Sequence, residues 1–383
     1  MEKIDFLIIG AGIVGIATAL KLKEAFPSKE IIVLEKNSGC FLEASRYNSG
    51  VVHSGIHQQA DLLKSKLARR GAPMLVNFCE KENVLHRKCG MIIAVSGKDL
   101  FWLRGDVKSL WLLYRNSRQQ RISLEILTSR GIKKLEPSIS AAFGIYLPDI
   151  WVIDQMSLGK KMFEKALKEG VRFIFNAGIS SIERERNLYK LTVDTIFHDT
   201  IFHTVRIYAA DLVVNSAGVK ADEVAAMAGF TGYRIFPYRG EYYEVIGPKK
   251  NLIKSTLVYP ALRPGSPIKG VHFTKTVDGR LLIGPNASSW TKKEDDFSIQ
   301  TPADEFLKAV RKFLPDLEID DLRWAYSGLR AKINKGVGEE DFIIVRESQN
   351  PTFVNLIGIE SPGFTAAFAI GEYVAEMIER PER

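Results

Sequence analysis

The chain is poor in cysteine, with Cys40, Cys79 and Cys89 its only three among 383 residues. An odd count with no CxxC pair and no metal-ligand spacing argues against a disulfide framework and a zinc site, and it suits a reducing compartment. No metal is expected. Low-complexity tracts and internal repeats are also missing, so folded structure is expected almost throughout. Long apolar runs are scarce. The most apolar one, Phe6 to Leu20, is shorter than a bilayer requires, and cleaving it as a signal would remove what reads as a first strand. The expectation is a cytoplasmic protein, with peripheral membrane contact left open. The 53 Lys+Arg exceed the 45 Asp+Glu without forming a basic block or an interleaved aromatic-basic stripe. Nucleic acid is therefore not an expected partner, whereas an anionic cofactor, an acidic substrate or an anionic membrane surface would be attracted by the mild excess.

The length is too great for one ordinary core and predicts two lobes. Ile4 to Ile9 is nearly continuously apolar and ends in glycine, as a central parallel strand buried on both faces should. Gly10-Ala11-Gly12-Ile13-Val14-Gly15 follows, then a helical stretch to Ala25 with Pro27 just beyond it. A second strand, Glu30 to Leu34, delivers Glu35 and Lys36. Each element has a mechanical task in holding a dinucleotide. Gly10 permits the tight turn, Gly12 lets the backbone approach a pyrophosphate, and Gly15 lets helix and strand pack closely. Amides at the helix start face the phosphates, and Glu35 is placed to accept from a ribose hydroxyl. A carboxylate at this position disfavours a 2′-phosphate, so NADP is not the expected occupant.

Downstream lies a loop dense in small residues, hydroxyls and amides: Glu43-Ala44-Ser45-Arg46-Tyr47-Asn48-Ser49-Gly50-Val51-Val52-His53-Ser54-Gly55-Ile56-His57. Such a loop suits a backbone that must lie against the ribityl chain and flat ring of a flavin. With GAGIVGIATA at the start, RYNSGVVHSGIH, KCGMIIAV, PYRGEYY at Pro237 to Tyr243, GVHFT at Gly270 to Thr274, DGRLLIGPNA at Asp278 to Ala287 and SGLRAK at Ser327 to Lys332, the chain resembles the FAD-dependent D-amino-acid-oxidase-type superfamily. Within it, the wording is most similar to the L-2-hydroxyglutarate dehydrogenase/oxidase branch. His57 stands where that wording has tyrosine, and Tyr259-Pro260-Ala261-Leu262-Arg263-Pro264 departs from the branch's YPVPDP.

The fold class expected is α/β, α+β overall: a Rossmann-type FAD-binding lobe and a mainly antiparallel β substrate-binding lobe, interleaved in sequence. The first lobe is assigned 1–88, 150–219 and 326–383, the second 89–149 and 220–325. Leu62 to Lys81 and Asp154 to Glu169 read as helices, Val171 to Phe175 and Thr352 to Ile359 as strands. Tyr189 to Tyr208 reads as a hairpin and Asp211 to Asn215 as a separate buried strand running into Ser216-Ala217-Gly218. Leu100 to Leu135 reads as a solvated helical excursion, with Trp102 and Trp111 as the residues that keep membrane contact open.

FAD is the cofactor the resemblance implies. Its expected contacts are Gly10, Gly12, Ile13, Val14, Gly15, Glu35, Lys36, Ser45, Arg46, Asn48, Ser49, Gly50, Val51, His53, Ala217, Gly218, Arg330, Gly363, Phe364 and Thr365. Gly363-Phe364-Thr365 opens the last helix, whose N-terminal amides would favour an anionic reduced ring. The activity implied is oxidation of a small 2-hydroxy acid, L-2-hydroxyglutarate to 2-oxoglutarate. Oxidation of amines such as glycine or sarcosine, oxidation of glycerol 3-phosphate, and a non-enzymatic FAD-binding role are the alternatives. Oxidising a hydroxy acid needs a base at the hydroxyl and a cation at the carboxylate. His272 and His53 are the candidate bases, His272 preferred, with His53 orienting flavin or substrate. Arg330 and Arg239 are the candidate carboxylate holders, since guanidinium makes two parallel bonds to a carboxylate. Tyr242 adds a hydroxyl contact. The electron acceptor, whether oxygen, quinone or a carrier protein, is left open.

Overall fold

A computed structural model describes residues 1–97, 104–196, 203–262, 270–334 and 340–380. The first strand, Glu2–Ile9, lies in the middle of a parallel stack, between Ile31–Leu34 on one side and His203–Asn215 on the other. Arg172–Ile174 extends the stack beyond Ile31–Leu34, and Thr352–Ile357 extends it beyond His203–Asn215. Alternate side chains of the first strand enter different cores, as a two-residue period requires. Phe6 and Ile8 pack under the helices, while Leu7 and Ile9 pack toward the hairpin strands Ala177–Glu185 and Leu188–Ile196. A strand buried on both faces must read as a continuous apolar run, and this one does.

Helices close the first face. Ile13–Ala25 packs so tightly on the last helix, Gly363–Glu379, that a Cβ on Gly371 would meet the Ala17 carbonyl oxygen at 2.7 Å. Leu63–Lys81 packs on the same helix through Gly71, whose Cβ would fall 2.5 Å from the Thr365 carbonyl oxygen. Glycine at both contacts lets backbone lie against backbone.

Among the described residues the second sheet has nine strands, with a separate core built around Val258, Phe273, Ile283 and Phe306. Its central order runs Phe236–Val245, Leu281–Gly284, His272–Lys275, Leu257–Pro260, Met91–Val95. All of its pairings are antiparallel except that between Leu257–Pro260 and Met91–Val95. A small third sheet joins Val51–Val52, Trp151–Ile153 and His86–Lys88.

Three expectations change. The boundary placed at residue 326 falls inside the strand Leu322–Lys332, which pairs along its length with Phe236–Val245 in the second sheet. The hairpin and the separate strand expected between Tyr189 and Asn215 share one long strand, His203–Asn215; its first half pairs with Leu188–Ile196 and its second half joins the parallel stack. The stretch 100–135 is not simply a solvated excursion. It contains the helices Arg104–Gln120 and Ser129–Leu135 and the strand Glu125–Thr128, and Leu110, Leu113, Asn116, Ser117 and Gln120 are buried. Trp111 stays exposed, while Trp102, Arg263 and Pro264 lie outside the described residues.

Candidate active site

The glycine turn is shaped by close approach. Gly10 has φ +100°, and a Cβ there would meet the Ser216 carbonyl oxygen at 2.7 Å. Gly15 leaves still less room, because its Cβ would fall 1.9 Å from the Gly10 carbonyl oxygen. Gly12 differs: its φ of −75° and ψ of 178° suit any residue, yet a Cβ would come within 3.0 Å of Ser45 Oγ. Ser45 Oγ accepts the Ile13 amide at 2.9 Å, and the helix begins there with no acidic residue in its first turn. Backbone amides, one serine hydroxyl and a bare Gly12 thus form a concave polar start, the arrangement that accepts a phosphate.

Glu35 sits at the end of the second strand with its carboxylate held from two directions. Oε2 accepts the Ala11 amide at 2.8 Å, and Oε1 accepts both Asn37 N and Nδ2 at 2.9 Å. Burial pushes its pKa up, against the pull of the Asn37 and Ala11 amides. A carboxylate oxygen can accept more than one hydrogen bond, so the oriented group can still take a ribose hydroxyl. Lys36 is differently employed, because its ammonium pairs with Glu43.

The loop 45–57 bridges the two lobes. Asn48 braces it from within: Nδ2 donates to the Ala44 and Ser45 carbonyls at 3.0 and 2.8 Å, and Oδ1 accepts the Gly50 amide at 2.8 Å. Tyr326 Oη and Gln155 Nε2 donate to the Asn48 carbonyl at 2.8 and 2.6 Å. Arg46 is exposed, its guanidinium 5.4 Å from the Tyr47 ring centre. Gly50, at φ +65°, lies so close to the small sheet that a Cβ would meet the Ile153 carbonyl oxygen at 2.4 Å. At the far end, the His53 amide donates to Thr365 Oγ1 at 3.0 Å, and that hydroxyl lies 3.4 Å from the Val51 carbonyl oxygen. The loop is thereby tied to the start of the last helix, where Gly363 and Thr365 are buried and Phe364 packs on the first core. Ala217 N donates to Asn215 Oδ1 at 3.3 Å, and Gly218 follows at φ +59°, closing the turn beside the glycine loop.

Against this loop the second sheet presents its aromatic and basic side chains. Tyr259 stacks on His272 with ring centres 3.6 Å apart and 20° between planes. His57 lies nearly parallel to Tyr259 at 6.0 Å, and His53 meets it edge-on at 6.5 Å. His272 Nδ1 is 2.8 Å from the Gly270 carbonyl oxygen. A carbonyl only accepts, so the neutral ring carries its proton on Nδ1 and its lone pair on Nε2. Tyr242 is buried, which pushes its pKa up; the Arg330 charge and a hydrogen bond with the Ser49 hydroxyl pull the other way.

The two arginines separate. Arg330 is half-buried on Leu322–Lys332, and among the described residues no carboxylate pairs with it. Arg239, by contrast, is 1% exposed and fully engaged. Its Nη1 meets Glu241 at 2.9 Å and its Nε meets Asp295 at 2.6 Å, while Nη2 donates to Ser327 Oγ at 2.8 Å and to the Asp296 carbonyl at 3.1 Å. The expectation that Arg239 holds substrate is therefore corrected: every guanidinium nitrogen already has a protein acceptor. Its role is to neutralise Glu241, which in turn accepts from the Thr301 amide at 2.9 Å and from Asn286 Nδ2 at 3.1 Å.

Several residues near the site are given no role by the sequence. Tyr259 heads the stretch that departs from YPVPDP, and nothing there marks it as the partner of a histidine. Asn116 and Gln120 belong to the helix read as solvated, yet Asn116 Nδ2 donates to the Ile56 and Gln58 carbonyls at 2.6 and 2.7 Å, and Gln120 Nε2 donates to Gln58 O at 3.0 Å. They pin the segment that carries His57. Buried amides on an otherwise polar helix are the one signal that could have found them.

Comparison with known proteins shows the family. The family model described as FAD dependent oxidoreductase (DAO) matches residues 5–377. The L-2-hydroxyglutarate dehydrogenase of Escherichia coli K12 is 27% identical, with 98% of this chain and 93% of that protein covered. The mitochondrial L-2-hydroxyglutarate dehydrogenase of Homo sapiens is also 27% identical, over 98% of this chain and 89% of that one. Among solved structures, dithionite-reduced L-alpha-glycerophosphate oxidase from Mycoplasma pneumoniae with FAD bound superposes at a TM-score of 0.84 with 24% identity, covering 100% of this chain and 96% of that one. The glycine turn, the Glu35 carboxylate and the bridging loop are the parts that fit FAD, and the chain belongs to the FAD-dependent oxidoreductases of the DAO family.

Proposed function

We propose that this enzyme oxidises a small 2-hydroxy acid, L-2-hydroxyglutarate to 2-oxoglutarate, with His272 as the base. The reading is supported by two residues of the second sheet: a histidine whose tautomer is set by Gly270, and an arginine with no carboxylate partner among the described residues, whose charge acts on the Tyr259 that stacks on that histidine. Arg330 takes the carboxylate next to the reacting carbon through two parallel charge-assisted bonds. His272 Nε2 takes the hydroxyl proton, and its Nδ1–H to Gly270 keeps the ring oriented while it does so. His53, fixed through its backbone to Thr365, orients the reactants, and Tyr242 contributes a hydroxyl beside Arg330. Bound FAD, held by the Gly10–Gly15 turn, Ser45 and Glu35, supplies the two-electron acceptor.

The choice of L-2-hydroxyglutarate over other 2-hydroxy acids rests on the relatives bearing that name over nearly the whole chain. A hydroxyl substrate also makes use of a histidine base, which amine oxidation can dispense with. The test is anaerobic single-turnover reduction. His272→Ala is expected to slow flavin reduction by L-2-hydroxyglutarate by at least about tenfold. Equal rates for wild type, His272→Ala and His53→Ala would overturn the assignment.

A further inference from the structure

We propose that Tyr259 is a positioning residue for His272: it clamps the imidazole face to face and stabilises the imidazolium that forms when the ring takes the substrate proton. The inference rests on the reading of His272 as the base. The 3.6 Å separation and 20° tilt put the two rings in direct contact, and Tyr259 is only 1% exposed, so its ring is walled in where it stands. The face of an aromatic ring carries negative potential and attracts a cation held over it, more strongly away from water. Imidazolium gains more from that face than neutral imidazole does. The stack therefore favours the charge that develops during proton transfer, and it is in place before the reaction begins.

The phenol itself is not the acid or base here. Burial raises its pKa well above the usual tyrosine value, an effect that Tyr242 and Cys89 reinforce and that the Thr274 hydroxyl and the Arg330 charge only offset in part. Tyr259 thus stays neutral and works through its ring. Among the histidines near it, His57 lies parallel at 6.0 Å and His53 meets the ring edge-on at 6.5 Å, so the close face-to-face contact is the one with His272.

The sequence holds six histidines, few enough for their Cε1–H signals to be followed one by one by NMR in the FAD-loaded protein, with His272→Asn identifying its own. In the wild type, the His272 signal is expected upfield of the others, displaced by the Tyr259 ring current. Tyr259→Phe keeps the face and should leave the His272 titration and the flavin reduction rate within about twofold of wild type. Tyr259→Leu should lower the His272 midpoint by about one unit and slow reduction on the order of tenfold. The proposal is overturned if Leu changes neither quantity, or if Phe is as damaging as Leu. Should the Leu variant fail to fold, an undisplaced His272 signal in the wild type overturns it as well. If no 2-hydroxy acid reduces the wild-type flavin, the proposed reaction falls, and the signal position and titration still decide the clamp.

Discussion

The hydroxyl of Thr365 accepts the backbone amide of His53 at 3.0 Å across 312 positions of sequence. One buried side chain thereby fastens the bridging loop to the start of the last helix, and so joins the nucleotide-holding lobe to the histidine cluster. Thr365→Val keeps the shape and removes the hydroxyl that a part-buried amide donates to, a loss of roughly 1–3 kcal/mol. Denaturant midpoints should fall accordingly, and Thr365→Ser should recover most of the loss. A Val variant as stable as wild type would mean that the tie contributes nothing.

Arg330 and Arg239 should respond in opposite ways to the same change. Arg330→Met is expected to raise KM for a 2-hydroxy acid by on the order of a hundredfold, with thermal stability unchanged, because the charge-assisted bidentate contact proposed for it would form only when substrate binds. Arg239→Met leaves Glu241 and Asp295 without their counter-ion, and unfolding should become easier by about 3–5 kcal/mol. The folded fraction of that variant should keep its KM. Steady-state kinetics beside calorimetry checks both, and a raised KM for Arg239→Met would restore it as a substrate ligand.

Acid should reach the second sheet through Glu241. Its buried carboxylate is disfavoured by desolvation, yet the Thr301 and Asn286 hydrogen bonds and the Arg239 charge outweigh that and hold its pKa below the ordinary glutamate value. A depressed folded pKa means stability that is present above the unfolded value and lost as pH falls through the folded one. Wild type should therefore exceed Glu241→Gln in stability at neutral pH, and the gap should close below about pH 4. Melting curves across pH measure it, and a gap that widens in acid would contradict the sign.

Gly10 and Gly12 predict two different failures. Gly10→Ala needs a left-handed φ and clashes with the Ser216 carbonyl, so the turn itself should be destabilised. Gly12→Ala has an allowed backbone, and its methyl would crowd the Ser45 hydroxyl at the start of the helix proposed to hold the phosphates. The Gly12 variant should fold, with most of its bound flavin gone by visible absorbance and with Ser45→Ala in the same background giving little recovery. A Gly12→Ala protein that retains its full flavin content would remove the turn from the binding site.

The first forty residues were legible because local rules govern them. A doubly buried strand, a three-glycine turn and an acid at the next strand's end each follow from close neighbours in sequence. The boundary at residue 326 was not legible, since strand Leu322–Lys332 belongs to whichever sheet offers it a partner, and its partner residues lie 77 to 96 positions away. Arg239 failed for a related reason. A guanidinium looks the same in sequence whether it awaits a substrate or is sealed among Glu241, Asp295 and Ser327, and only the fold brings those acceptors together. His57 showed as a departure from a tyrosine and Tyr259 as the head of a stretch departing from YPVPDP, but the stack of Tyr259 on His272 gave no signal, because a strand residue packed on a histidine is written like any core aromatic.

Anaerobic mixing of the purified flavoprotein with L-2-hydroxyglutarate, its D-enantiomer, glycine and glycerol 3-phosphate tests the central claim most directly. Fast bleaching of the flavin by the L-hydroxy acid alone, slowed by at least about tenfold in His272→Ala, is the predicted result. Bleaching by glycine or glycerol 3-phosphate in preference, or a colourless protein that takes up no FAD, would contradict it.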